Sequence, residues 1–425
     1  MINIVVLNGG RGAGTLIPPL LDVKGVSLTS IVNAYDDGKS TGAIRKFFGM
    51  LGPSDIRKVQ ELMLPKSDTN YDDHLHLFTY RYPENISYES VIDELTKFTR
   101  GDENLLTGIV IHDEDVRLAL QSFLHEFLES LKVVEKLKND KFNFSDCSIM
   151  NCIYAGAFLA SGRNIEHAAS YIGKLFNLEG AVLPTSIEDK KLMALRENGE
   201  MLYSEADIVE LRSNVRIDRI YLLDQCLEKE KFDQLSFEEK TYYLNRHHSY
   251  TSASPGVKNA LKHADIIIYA AGTQHSSLYP TYLLSGLAEA IADNKSASKI
   301  FITNIGADYE TPTYKASDYI LGAYRYLNLS DARDYSTREL FDAVFVNKSN
   351  FKADESYVEF DESSFENIDV DLIVDEFESR ISPGKHDGLK LIEVILKIFK
   401  LDSHTRLQWR LKKIPSRKSL KGKSC

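Results

Sequence analysis

The chain has 425 residues, 43% hydrophobic and 27% charged, enough to bury a large core in one big or two ordinary domains. Its formal net charge of −11 argues against broad nucleic-acid binding by the body of the protein. The four cysteines, Cys147, Cys152, Cys226 and Cys425, form no CxxC pair and read as free thiols of a reducing compartment.

In chain order, Ile2 to Leu7 is a buried-strand run, and Asn8-Gly9-Gly10-Arg11-Gly12-Ala13-Gly14-Thr15 follows at once. Its glycines let the backbone approach another group closely, and a helix starting near Thr15 or Leu16 would turn free N–H groups toward an anion. The spacing fits neither GxGxxG nor GxxxxGK[ST], so the loop is a phosphate cradle or a plain strand-to-helix turn. A second strand, Val26 to Ala34, runs into Tyr35-Asp36-Asp37-Gly38-Lys39-Ser40-Thr41 and on to Arg45. Paired carboxylates beside Lys39, Ser40 and Thr41 mix metal ligands with phosphate donors, although the same residue types also build solvated turns. Gly52 to Lys58, with Asp55 inside it, adds a third polar element.

From Tyr88 to Leu137 the pattern is helical, with a stripe of Val116, Leu120, Phe123, Leu124, Phe127, Leu128 and Leu131 that is core or an oligomer contact. His74 and His76 share one parity, but Tyr71-Asp72-Asp73 before them signals a loop. Adjacent His247 and His248 would point to opposite faces of a strand, which leaves no metal pair there. Asn151 heads an apolar helix, as an N-cap or a ligand contact. Ile266 to Ala271 and Ile300 to Thr303 are short, apolar and rich in branched residues, as buried parallel strands should be. Val257 to His263 and Leu283 to Asp293 read as amphipathic helices. The Gly272-Thr273-Gln274-His275-Ser276-Ser277 loop offers N–H groups and hydroxyls without charge. Phe360 to Asp375 is strongly acidic, and His386-Asp387 opens a last helix.

These elements predict a doubly wound, Rossmann-like α/β domain over residues 1–400, with a mostly parallel sheet. Helical insertions are expected at about 84–145 and 212–250, and a flexible basic tail at 403–425. The longest apolar runs are too short to span a bilayer, and the opening strand is unlike a signal peptide, so a cytoplasmic protein is expected.

The order NGGRGAG, then YDDGKSTGAIRKFFGMLGPSDIRK, resembles GGGTGLS, then ADDGGSSGRLR and PPGDIRN, the pattern of the CofD/YvcK family. Leu77 to Tyr82, Ser148 to Asn151, Leu178 to Thr185, Ala264 to Pro280, Asn304 with Glu310-Thr311, and His386-Asp387 resemble later family segments in the same order. That family comprises 2-phospho-L-lactate transferases of deazaflavin coenzyme biosynthesis and gluconeogenesis factors that bind nucleotide sugars. The resemblance implies a nucleotide, nucleotide sugar or other phosphorylated small molecule as ligand, held by Gly9, Gly10, Arg11, Gly12, Gly38, Lys39, Ser40, Thr41, Asn151, Gly272, Thr273, Ser276 and Asn304. It implies Mg²⁺ on Asp36 and Asp37, with Asp37 and Asp55 in catalytic roles if a group is transferred. No nucleic acid and no transmembrane segment are expected, and a homo-oligomer is.

The departures are informative. Arg11 replaces a hydroxyl residue, and the Gly-His that precedes the family's SLGN stands here as Asp146-Cys147. Lys39 occupies the position at which the transferases carry tryptophan, which could stack on a flat deazaflavin ring as lysine cannot. The second and third motifs are of the gluconeogenesis-factor type, which favours a binding protein that reports a metabolite over a transferase.

Overall fold

The computed structural model describes residues 1–10, 12–348 and 356–400; Arg11, the basic tail at 403–425 and Cys425 lie outside it. Seven parallel strands form the main sheet: β1 (Ile2–Asn8), β2 (Val26–Val32), β5 (Ala181–Pro184), β9 (Ile266–Tyr269), β10 (Ser298–Ile302), β11 (Ala343–Asn347) and β12 (Asp371–Asp375). Their order is β12-β11-β10-β9-β1-β2-β5. Ile4 to Leu7 and Ile266 to Tyr269 are essentially sealed from solvent, which is why both runs are apolar on every residue. The expected doubly wound α/β sheet is therefore present.

Strand order fixes where a ligand can enter. The chain moves outward from β1 to β2 and β5, then returns to lay β9 against the other side of β1. This reversal is a topological switch point, where the loops leaving neighbouring strands part and open a crevice at their carboxyl ends.

The segment after residue 84 is largely helical, with helices Tyr88–Arg100 and Glu114–Lys138. Helix Glu114–Lys138 starts at Asp113, whose side chain accepts from the Val116 N–H, and stops at Asn139 in the left-handed conformation. All seven residues of its apolar stripe are buried within this chain, so the stripe is core and not a contact between subunits. Elements β3 (Leu105–Leu106) and β4 (Ile109–Val110) make a minimal hairpin beside it.

Elsewhere the structure departs from the sequence-based reading. Residues 71–73, expected in a loop, open the helix Tyr71–Thr79. The Leu283 to Asp293 run is broken by Gly286 at φ 77°, and its helix starts only at Leu287. A three-stranded antiparallel sheet of β6 (Lys191–Arg196), β7 (Met201–Leu202) and β8 (Ile217–Leu223) precedes the helix Phe237–His247. It carries its own small core of Met193, Leu195, Met201, Tyr221, Leu223, Phe232 and Leu244. His247 is exposed at the end of that helix, whereas His248 turns inward and accepts from the Leu222 N–H at 3.2 Å. Among the described residues, no helix is long and apolar enough to cross a membrane.

Candidate functional site

A cleft of about 1150 Å³ opens at the switch point. It collects the residues that follow β1 (Gly9, Gly10, Gly12), β2 (Asp36, Gly38, Lys39, Ser40, Thr41), β9 (Gly272, Thr273, Ser276) and β10 (Asn304). Asp55, Arg57 and Lys58 reach it from helix Ser54–Leu62, and Arg81 and Asp146 from the two segments that flank the first insertion. Of the residues singled out from sequence, Asp37 and Asn151 do not line it.

The glycine loop differs from its expected form. No long helix follows it; residues Gly12–Thr15 make one 3-10 turn, and a five-residue helix, Ile17–Leu21, begins on Pro18-Pro19. The glycines serve close packing instead. A Cβ on Gly12 would stand 2.6 Å from the Ala271 carbonyl oxygen, and one on Gly10 would overlap the Asp55 carboxylate. Gly14, by contrast, faces open space.

The N-termini that do face the cleft belong to helices Lys39–Phe48 and Ser54–Leu62. Neither has a side-chain cap, so their first N–H groups are left for another acceptor. The Thr41 and Ser54 hydroxyls bond to each other and tie the two ends together. Behind them, fully buried Asn151 donates to the Ser40 hydroxyl at 3.3 Å, which makes it a support beneath the cleft. Arg45 is likewise structural: it is buried, bonds the Tyr35 carbonyl at 2.7 Å and pairs with Asp189 at 2.6 Å. Arg57 is buried at the cleft wall, with its Nε unpartnered.

The Gly272 loop has engaged several of its donors within the chain. The Gly272 N–H bonds the Asn304 side chain at 3.0 Å, and Asn304 donates back to the Gly272 carbonyl. The N–H groups of His275 and Ser276 and the Ser276 hydroxyl all bond the buried Glu310 carboxylate, at 3.0, 2.9 and 2.6 Å. Burial, with Asp308 adding to it, pushes the Glu310 carboxyl up to about 7 against those bonds. The protein thus fills this anion nest itself, on a segment coiled as a single π-turn, Gln274–Leu278.

The two neighbouring aspartates have separate surroundings. The Asp37 carboxylate accepts from the Ala206 N–H at 3.0 Å and anchors helix Glu205–Glu210, and it does not line the cleft. Asp36 lies at the cleft wall and accepts from the Gly38 N–H at 3.0 Å; burial and then the nearby Asp55 carboxylate raise its pKa. Glu205, which no local spacing marks, also lines the cleft. Burial, then Asp36 and Asp37, push its carboxyl up to about 9.

Among the described residues, no group of three or more His, Cys, Asp or Glu side chains is placed to hold a metal ion alone. The crowding of Asp36 and Asp55 nonetheless fits the usual seat of Mg²⁺, one or two carboxylates completed by water and ligand phosphate oxygens.

Glu205 gives stability a pH dependence. The folded chain keeps its proton between the ordinary value of 4.5 and about 9, where the unfolded chain has released it. Its stabilising contribution is therefore present below about pH 4.5 and lost as the pH rises toward 9. Glu205→Gln, neutral throughout, is expected to match the parent chain near pH 4 and to exceed it by more than about 1.4 kcal/mol at pH 8 in urea unfolding. Equal midpoints at pH 8 would mean that the folded carboxyl is ionised.

The family model described as 2-phospho-L-lactate transferase CofD matches residues 4–380. The chain belongs to the CofD family. This CofD-family chain is 25% identical over 406 residues to a Thermotoga maritima protein, covering 93% of this chain and 99% of the relative. It is also 25% identical over 378 residues to a Listeria monocytogenes protein named gluconeogenesis factor, covering 88% of each. Its fold is similar to the crystal structure of a UPF0052-family protein from Bacillus halodurans, with a TM-score of 0.65, 22% identity and coverage of 93% of this chain and 100% of that one.

Proposed function

We propose that this CofD-family chain binds a nucleotide or nucleotide sugar in the switch-point cleft and serves as a metabolic sensor rather than a transferase. The observation that carries the reading is the convergence of two uncapped helix N-termini with Arg57, Lys58 and Arg81 on one wall of the cleft. Such a wall suits phosphate oxygens, because it supplies oriented N–H donors and positive charge together. The phosphates would lie there, and Mg²⁺, when bound, would neutralise them from Asp36 and Asp55. The Asp36 and Glu205 side chains at the cleft would hydrogen-bond ligand hydroxyls, Glu205 in its protonated form. Relatives named gluconeogenesis factor support the sensor role, as does Lys39 at the position where transferases carry an aromatic ring.

Titration calorimetry against nucleotides and nucleotide sugars, with and without Mg²⁺, tests this. Binding is expected with Kd on the order of micromolar, and Asp36→Asn should weaken the Mg²⁺-dependent part more than about tenfold. Asp37→Asn should change it by less than about threefold, since that carboxylate serves helix Glu205–Glu210. Absence of binding to all of these ligands would overturn the proposal. Transfer of phospholactate to a deazaflavin acceptor would make the chain an enzyme instead.

A further inference from the structure

Two of the cations at the cleft are already engaged by an anion of the chain itself. Asp146 receives the Arg81 Nε at 2.6 Å and the Lys39 Nζ at 3.4 Å, while Arg81 also reaches the Ser40 hydroxyl at 3.3 Å. All four residues line the cleft, beside the first turn of helix Lys39–Phe48. Arg81 and Asp146 are each about one-third exposed, so this bridge stands at the wall and not in the core. The backbone of Asp146 has φ 50°, a conformation that glycine adopts freely and other residues adopt rarely. This chain has therefore placed a carboxylate among its ligand-facing cations without any demand from the backbone.

We infer that Asp146 is a specificity-determining residue that cancels one of the two positive charges of Arg81 and Lys39, so that this end of the cleft shifts its preference from a free terminal phosphate toward an esterified one. The inference rests on the proposed binding of nucleotides in the cleft. The physical basis is one unit of charge. A free terminal phosphate carries ~1.5 to 2 negative charges at neutral pH, because its second proton leaves near pH ~6, whereas an esterified phosphate carries only one. Two cations without Asp146 would reward the extra charge in full; with Asp146 between them, one unit of that positive charge is cancelled and the reward shrinks. An ester also brings a hydroxylated group, from which Asp146 can accept a hydrogen bond.

The test measures binding of ADP, GDP, CDP and UDP against their glucose esters, ADP-glucose, GDP-glucose, CDP-glucose and UDP-glucose, to the full chain and to Asp146→Asn and Asp146→Gly. The asparagine keeps a hydrogen-bond acceptor for Arg81 and removes the charge; the glycine also suits the backbone, so one variant covers a folding defect in the other. The parent chain is expected to prefer the ester of whichever base it accepts. Both variants should shift the ester-to-diphosphate affinity ratio toward the free diphosphate by on the order of tenfold, an effect that shrinks in high salt. A ratio within about twofold of the parent in folded variants, or a shift toward the ester, overturns the inference while leaving nucleotide binding in place. No binding of any of the eight probes by the parent chain overturns the nucleotide reading, and the inference falls with it.

Discussion

Replacing Lys58 by glutamate is expected to weaken nucleotide binding at least a hundredfold and to leave the melting temperature close to that of the parent chain. Lys58 extends from helix Ser54–Leu62 with its side chain 30% exposed, and its ammonium lies 2.8 Å from Asp55. It offsets a wall that also carries Asp36. Reversal of its charge turns an attraction for phosphate into a repulsion. At an effective dielectric near 20, a unit pair about 6 Å apart is worth ~3 kcal/mol. Halving that for solvent screening, and counting both the lost attraction and the added repulsion, still leaves about 2.7 kcal/mol, or a hundredfold. The side chain contributes no core packing, so folding should survive. Calorimetry of the variant checks the first part and a thermal melt the second; affinity within about threefold of the parent would place the phosphates elsewhere in the cleft.

The largest stability effect is expected at Gly156. Helix Ile149–Ala160 packs on helix Glu114–Lys138 so closely that a Cβ on Gly156 would overlap the Phe123 carbonyl group. A backbone carbonyl inside a helix cannot rotate aside, so the two helices must separate. Gly156→Val should cost about 3 kcal/mol or more, at the upper end of overpacking effects. Gly173, in helix Ile165–Leu175, is the contrasting case: its nearest neighbour to a new Cβ is the Gln60 amide nitrogen at 3.5 Å. Gly173→Ala should stabilise by roughly 0.4–1 kcal/mol, chiefly by restricting the unfolded chain. Urea midpoints of opposite sign for the two variants are the expected result, and a valine at 156 without cost would contradict the close helix contact.

The sheet was legible where strands are buried on both faces. Ile2 to Leu7 and Ile266 to Ala271 leave little alternative, because all residues but Asn3 are apolar or aromatic and a glycine loop follows. Strand β12 was hidden in the acidic segment, since Asp371–Asp375 lies at the edge of the sheet and only Ile373 in it is buried. The small antiparallel sheet was missed for a different reason. Lys191–Arg196 has five consecutive buried residues, so it lacks the alternation that marks a half-exposed strand.

For the site, sequence marked the loops but not what occupies their donors. Glu310 lies 34 residues beyond Ser276 and Glu205 lies 168 beyond Asp37, separations at which no spacing rule applies. Adjacent Asp36 and Asp37 look equivalent in one dimension. The fold separates them, because one side chain faces the cleft and the other meets the start of helix Glu205–Glu210.

The cleft joins the two extremes of the described chain. Gly384, His386 and Leu391 line it together with Gly12, Gly14 and Thr15, and a Cβ on Gly388 would overlap the Thr15 carbonyl oxygen. During synthesis on the ribosome, the pocket is therefore completed only after almost every strand has emerged, and an early truncation cannot retain part of it. Any molecule that fills it holds the first and last segments together and must leave before the chain opens globally. A ligand present at a hundred times its Kd adds ~2.7 kcal/mol against unfolding. Resistance to proteases would then follow the supply of the ligand, and the amount of protein in the cell would carry the same information as its occupancy.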